Sequence, residues 1–171
     1  DAFKRLDSIQ NICERSQKRL VVYLSMGFGN PYGEKWHPEM LLEFSQKLHS
    51  RLSTSVIALS DTVGSANEDV IKSSFETVTR ELPQVEFGVH LHLKLLDGMG
   101  KIQAAVDGGC RRFDGAIRGI GGCPLAQDTL VGNAPTEHMI ELFSKLGLWE
   151  PKSKSAWSQA QSQATVIFEG K

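Results

Sequence analysis

Cysteine is scarce in this chain: three residues in 171 (Cys13, Cys110 and Cys123), too few and too scattered for a disulfide framework. That usage fits a reducing compartment. No apolar run approaches the roughly 18 residues of a membrane-spanning helix. Charge of one sign is missing too. The net charge of −1, with acids and bases interspersed, gives no electrostatic case for a nucleic-acid or membrane partner. No low-complexity linker divides the chain, and no signal peptide stands at its start. Asp1 falls inside what reads as a helix, without an initiator Met, so the expectation is a piece of a longer chain, and the missing targeting segment is uninformative. What is present is a length and a 40% hydrophobic content that suffice for one globular domain with a sizeable core.

The apolar residues set out a rhythm. Phe3, Leu6, Ile9 and Ile12 recur at helical spacing, and residues 19–25 form a nearly continuous apolar run, as in a strand buried on both faces. A loop of Gly, Asn and Pro follows. Pro38 then opens a helix whose predicted inner face is Leu41, Phe44, Leu48 and Leu52. The pattern repeats with a strand over 54–60 and a helix carrying Ile71, Phe75, Val78 and Leu82, where Ser65 and Glu68 have capping-box spacing. A third strand over 85–92 precedes a helix around Met99, Ile102 and Val106, with Asp97 placed to cap it. A fourth strand over 112–117 leads through a Gly/Cys loop to a helix opened by Pro135, with Met139, Ile140, Phe143 and Leu146 inward. From Leu148 the chain turns polar, and residues 148–171 read as a weakly ordered extension or a further helix, without chemistry. Four βα units of roughly 30 residues predict a parallel α/β fold. A full eight-stranded barrel takes about 250 residues, so the chain accounts for about half of one, with a short doubly wound sheet as the structural alternative. A free half would expose parallel edge strands, which calls for a preceding half or for assembly of halves.

In such folds the loops that follow strands gather at one end, where active sites sit. That places Asp61, His90, His92, Cys123 and Asn133 at a common mouth. In the third strand Val85, Phe87, Val89 and Leu91 share one face, and Glu86, Gly88, His90 and His92 share the other. Two imidazoles on one face can offer two nitrogens to one divalent cation, though a pair of satisfied polar residues has the same pattern; spacing leaves Mg, Mn, Zn and Fe open. Cys123, flanked by Gly119, Gly121, Gly122 and Pro124, sits where a thiol near a cation can act as acid or base. Cys110 lies at the opposite end and reads as structural. Asn133 is either a turn residue or a neutral oxygen donor, and Asp61 either a turn cap or a substrate contact. His37, His49 and His138 read as surface residues.

Four stretches together carry a resemblance: Ser25-Met26-Gly27-Phe28-Gly29-Asn30-Pro31-Tyr32-Gly33, Leu59-Ser60-Asp61-Thr62-Val63-Gly64, Val89-His90-Leu91-His92, and Gly121-Gly122-Cys123-Pro124 running through Ala126-Gln127 to Gly132-Asn133. Over about residues 20–147 the chain resembles the hydroxymethylglutaryl-CoA lyases. They belong to a metal-dependent barrel superfamily that also contains isopropylmalate and homocitrate synthases. The resemblance implies the C-terminal half of a (β/α)8 TIM barrel over residues 1–147, with the N-terminal strands absent. It implies His90, His92 and Asn133 as ligands of a divalent cation, Mg or Mn, with Cys123 and His90 in proton transfer; Asp61, from its place at the end of the second strand, is taken as the substrate contact. The implied reaction cleaves 3-hydroxy-3-methylglutaryl-CoA to acetyl-CoA and acetoacetate. The implied partners are an acyl-CoA and either the missing half-barrel or a second copy; the location would be cytoplasmic in a bacterium and mitochondrial in a eukaryote. Three departures stand out. The family's Arg-Asp pair and a further acidic residue belong to strands absent here, so the chain alone is expected to be inactive or nearly so. Leu93-Lys94-Leu95-Leu96 stands where the family has Asp-Thr, and the loop from Cys123 to Asn133 is one residue longer than in the animal-type lyase. The rivals are a condensing synthase of the same superfamily and a catalytically silent half-barrel that serves as an assembly partner.

Overall fold

Parallel pairing of β1 (Val21–Leu24), β2 (Val56–Asp61), β3 (Glu86–Leu93) and β4 (Arg112–Asp114), in that order, forms the sheet of the computed structural model, which describes residues 2–93, 98–122 and 131–169. Helix α1 (Ala2–Arg15) precedes β1, and α2 (Pro38–Leu52), α3 (Glu68–Glu81) and α4 (Gly98–Asp107) follow the first three strands. After β4 come a 3-10 turn at Ile117–Gly119, a two-residue strand β5 (Gly132–Asn133), α5 (Thr136–Lys145) and α6 (Lys154–Glu169). The architecture is alternating β/α with an open sheet.

The core lies between the sheet and its helices. Ile57 and Leu59 of β2 and Phe87, Val89 and Leu91 of β3 are buried against Leu41, Leu48 and Leu52 of α2, Ile71, Phe75 and Val78 of α3, and Ile102 and Ala105 of α4. Burying each large side chain of this kind is worth about 1.5–3 kcal/mol, which is why the apolar half of every strand faces the helices. The alternate positions are thereby turned to the concave face. Pro38 occupies the first turn of α2, where its missing N–H costs nothing.

Several local expectations are corrected. Asn67, not Ser65, caps α3, because its side-chain oxygen accepts the Val70 N–H at 2.8 Å. The inner face of α2 passes through Ser45 rather than Phe44, which is 44% exposed on the flank. In α5 the buried positions are Met139 and Leu142, while Leu146 lies outside. The fourth strand ends at Asp114 instead of running to 117. A Cβ at Gly115 would stand 2.5 Å from the Ala134 carbonyl oxygen, and Arg118 adopts φ 62°, so the chain turns there. The polar tail, for which a further helix is one of two expectations, does carry one in α6, and Arg118 donates to the Thr165 hydroxyl at 2.6 Å. Strand β5 was not anticipated: it runs antiparallel to β3 with His92 opposite Asn133. Asp97 and Cys123, assigned as a helix cap and a catalytic thiol, lie outside the described residues.

Candidate active site

Register builds the site. Ser60, His90 and Asp114 stand side by side on β2, β3 and β4, and one step earlier Tyr23, Ala58, Gly88 and Arg112 make the row beneath. Tyr23, Ser25, Ser60, Thr62, His90, His92 and Asp114 line a cavity of about 400 Å3 at the carboxyl ends of the strands. At the other end of the concave face Glu86 accepts Arg19 at 2.6 Å and faces Arg112 at 3.7 Å. Polar chemistry therefore collects at the mouth.

The two histidines meet there. His90 Nε2 and His92 Nε2 are 3.2 Å apart, with ring planes at 78°. Two nitrogens held about 2.1 Å from one divalent cation at roughly a right angle stand about 3 Å apart, so the pair fits a shared cation. The same spacing also allows one ring to donate to the other. His92 is 7% exposed, and its Nδ1 is buried with no partner of good hydrogen-bond geometry among the described residues, although the Val131 main chain favours the protonated ring. Burial, and then the neighbouring His90, push the His92 pKa below its ordinary value. A neutral ring keeps a lone pair for a ligand. Among the described residues no group of three His, Cys, Asp or Glu side chains is drawn together.

Asn133 is brought level with His92 by the β3–β5 ladder. Its Nδ2 donates to the Ile120 carbonyl at 2.8 Å, which orients the amide, and the residue lines a neighbouring cavity with Arg118, Gly119, Gly121 and Pro135. A Cβ at Gly121, where φ is +91°, would stand 2.8 Å from that Nδ2, so glycine is required on both steric and backbone grounds.

Asp61 pairs in register with Leu91, on the face that meets the helices, and is 2% exposed. Its carboxylate accepts the Ala66 N–H at 3.2 Å and faces Lys101 Nζ at 3.5 Å, while Lys101 also donates to the Gly64 carbonyl at 2.9 Å. These bonds hold the loop over residues 62–67 against β3, so closely that a Cβ at Gly64 would come within 2.9 Å of the His92 carbonyl oxygen. Burial raises the Asp61 pKa above its ordinary value, outweighing Lys101 and the backbone donors. A carboxyl whose folded pKa is raised stabilises the fold below the unfolded value, about 3.9, and that contribution is lost as pH rises through the folded value. Relative to Asp61→Asn, the native chain should therefore lose stability across that acid window and show no further change above it. Denaturant melts of both proteins at a series of pH values measure this, and a rising difference would contradict it.

Tyr23, Ser25, Ser60, Thr62 and Asp114 belong to the site and were missed from sequence. Once the register is known, the period of two counted outward from His90 selects all five, but the register itself is not written in the sequence. Thr62 Oγ1 accepts the Met26 N–H at 2.8 Å, and the Ser60 carbonyl accepts the Gly27 N–H at 2.9 Å, so the β1–α2 loop is fastened to the rim.

Parallel βα units with converging polar side chains at their carboxyl ends define the (β/α)8-barrel class, here over about half its circumference. A family model described as HMGL-like matches residues 3–163, and the chain belongs to that family. The mitochondrial hydroxymethylglutaryl-CoA lyase of Pongo abelii is 29% identical over 148 residues, 86% of this chain and 45% of that one. The cytoplasmic 3-hydroxy-3-methylglutaryl-CoA lyase of Rattus norvegicus is 33% identical over 126 residues, 74% of this chain and 36% of its own length. The chain thus spans about half the length of the curated relatives it matches. The crystal structure of the lyase from Pseudomonas aeruginosa superposes with a TM-score of 0.85 at 23% identity, covering 98% of this chain and 55% of that one. An HMG-CoA lyase from Acinetobacter baumannii, in complex with coenzyme A and 3-methylmalate, gives 0.75 at 26% identity, covering 93% and 52%. The family generally uses a divalent metal. No helix among the described residues is long and apolar enough to cross a membrane.

Proposed function

We propose that this chain is the C-terminal half of a carbon–carbon lyase barrel that cleaves 3-hydroxy-3-methylglutaryl-CoA to acetyl-CoA and acetoacetate. The observation that carries the reading is the pair of Nε2 atoms 3.2 Å apart at the carboxyl end of β3. His90, His92 and Asn133 would hold a divalent cation, Mg or Mn, with remaining donors from the other half. When bound, the cation supplies Lewis acidity that eases deprotonation of the substrate's tertiary hydroxyl. His92, kept neutral by burial, offers its lone pair without first losing a proton. The hydroxyls of Ser25, Ser60 and Thr62 line the same cavity and are placed to orient the substrate's polar end. Asp61 contributes through the loop it holds beside the substrate. Cleavage of the carbon–carbon bond leaves the enolate of acetyl-CoA, and Cys123, with His90, delivers the proton that completes it. Strands β1 and β4, open at the edges of the sheet, take the complementary half-barrel, whether from the same polypeptide or a second chain.

The test is cleavage by the chain joined to its complementary half, with acetoacetate release followed in the presence of Mg or Mn. Cys123→Ala is expected to lower turnover by about 10²–10⁴-fold, the usual worth of a placed proton donor, while Mn binding persists. Undiminished turnover would refute the role of the thiol. Condensation of acetyl-CoA with a keto acid, in the absence of cleavage, would move the assignment to the synthases.

A further inference from the structure

We infer that Asp114 is a positioning residue for His90 and acts through the phenol of Tyr23. The inference rests on the lyase reading only for its consequence at a cation; the geometry stands apart from it. Strands β1 and β4 are separated by two others, yet the Tyr23 hydroxyl donates to Asp114 Oδ2 across the concave face. Small residues make that reach possible. The row between them holds Ala58 and Gly88, and a Cβ at Gly88 would meet the Arg112 stem at 3.0 Å. Thus anchored, the Tyr23 ring stands edge-on to His90, with centroids 6.0 Å apart and planes at 85°. His90 in turn meets His92 at a centroid distance of 5.0 Å. A chain of contacts therefore runs from a carboxylate on the last parallel strand to the paired imidazole nitrogens.

Asp114 could have served differently. It is the register neighbour of His90 on the same face, where a carboxylate close to two imidazoles would complete a three-donor cluster. No such cluster forms among the described residues, and one Asp114 oxygen is taken by the phenol. Tyr23 is 46% exposed, so packing alone does not fix its ring. The hydrogen bond supplies the missing restraint.

The experiment is a heteronuclear NMR correlation of the histidine ring protons in the whole chain, with His90 assigned by its own substitution. Asp114→Ala should move the His90 ring signals to the positions they take in Tyr23→Leu, where the edge contact is gone. Asp114→Asn, which loses the charge but keeps an oxygen acceptor, should leave them at native positions. The combined Tyr23→Leu and Asp114→Ala variant should shift no further than either alone, since both changes cut one path. Unmoved signals in Asp114→Ala would overturn the inference, as would equal shifts in Asp114→Ala and Asp114→Asn. Circular dichroism of each variant separates these outcomes from loss of fold. Mn titrated into the native chain joined to its complementary half tests the metal reading separately: no binding there would remove that reading and leave the His90 result standing.

Discussion

Changing His90 and His92 together to alanine is expected to cut Mn affinity by well over a hundredfold, with helical content and melting temperature retained. Losing a partner that merely orients a metal ligand costs about ten- to a hundredfold, and here both donor nitrogens go at once. The fold should survive because neither ring belongs to the helix-facing core; the residues that hold β3 are Phe87, Val89 and Leu91. Removing His92 also relieves a buried ring whose Nδ1 lacks a good partner, which offsets part of the lost packing. Calorimetry or Mn electron paramagnetic resonance on the chain with its complementary half reads the affinity, and acetoacetate release from that assembly should disappear with it. Native-like Mn binding in the double variant would mean that the cation sits elsewhere, and the lyase reading would lose its principal support.

The histidine pair was legible because one physical rule sufficed. In β3 the apolar residues alternate with Glu86, Gly88, His90 and His92, so a strand assignment alone places both imidazoles on one face. The same rule failed at Tyr23 because β1 reads as an unbroken apolar run, in which a phenol passes for another hydrophobe. Asp114 was hidden for a different reason. Its partner lies 91 residues earlier, and only the folded sheet brings the two together. Strand β5 spans two residues, too short for any periodicity, and its pairing with β3 is a tertiary event. Asn133 was picked out by loop chemistry and resemblance, and its level with His92 came only from that ladder. The cap of α3 shows a competition between neighbours: Ser65 had the spacing, but Asn67 reaches the Val70 N–H. Local patterns thus located the helices up to α5, the four parallel strands and the histidine pair, while cross-strand partners had to come from coordinates.

Phe75→Ala is expected to cost the chain about 3–5 kcal/mol, a large share of the roughly 5–15 kcal/mol that holds a typical domain together. Phe75 is fully buried on α3, and its ring meets Phe28 at a centroid distance of 6.3 Å. Its surroundings cannot close over a void. Gly108 already brings α4 so near that a Cβ there would lie 2.7 Å from Phe75 Cβ and 2.6 Å from the Lys72 carbonyl oxygen. Phe28 is held from the other side: Trp36 Nε1 donates to the Gly27 carbonyl at 3.0 Å, and the Gly27 N–H is bonded to Ser60. The melting temperature should fall by about 10 °C, at the few degrees per kcal/mol expected of a chain this long. Phe44→Ala deletes the same atoms from a ring that is 44% exposed, and less than half the loss is expected there. Because Phe28 belongs to the loop fastened to Ser60 and Thr62, the Phe75 cavity should also loosen the rim of the site, seen as faster amide exchange at Met26 and Gly27. Equal losses at Phe75 and Phe44 would show that the packing between the sheet and α3 is not what holds the rim in place.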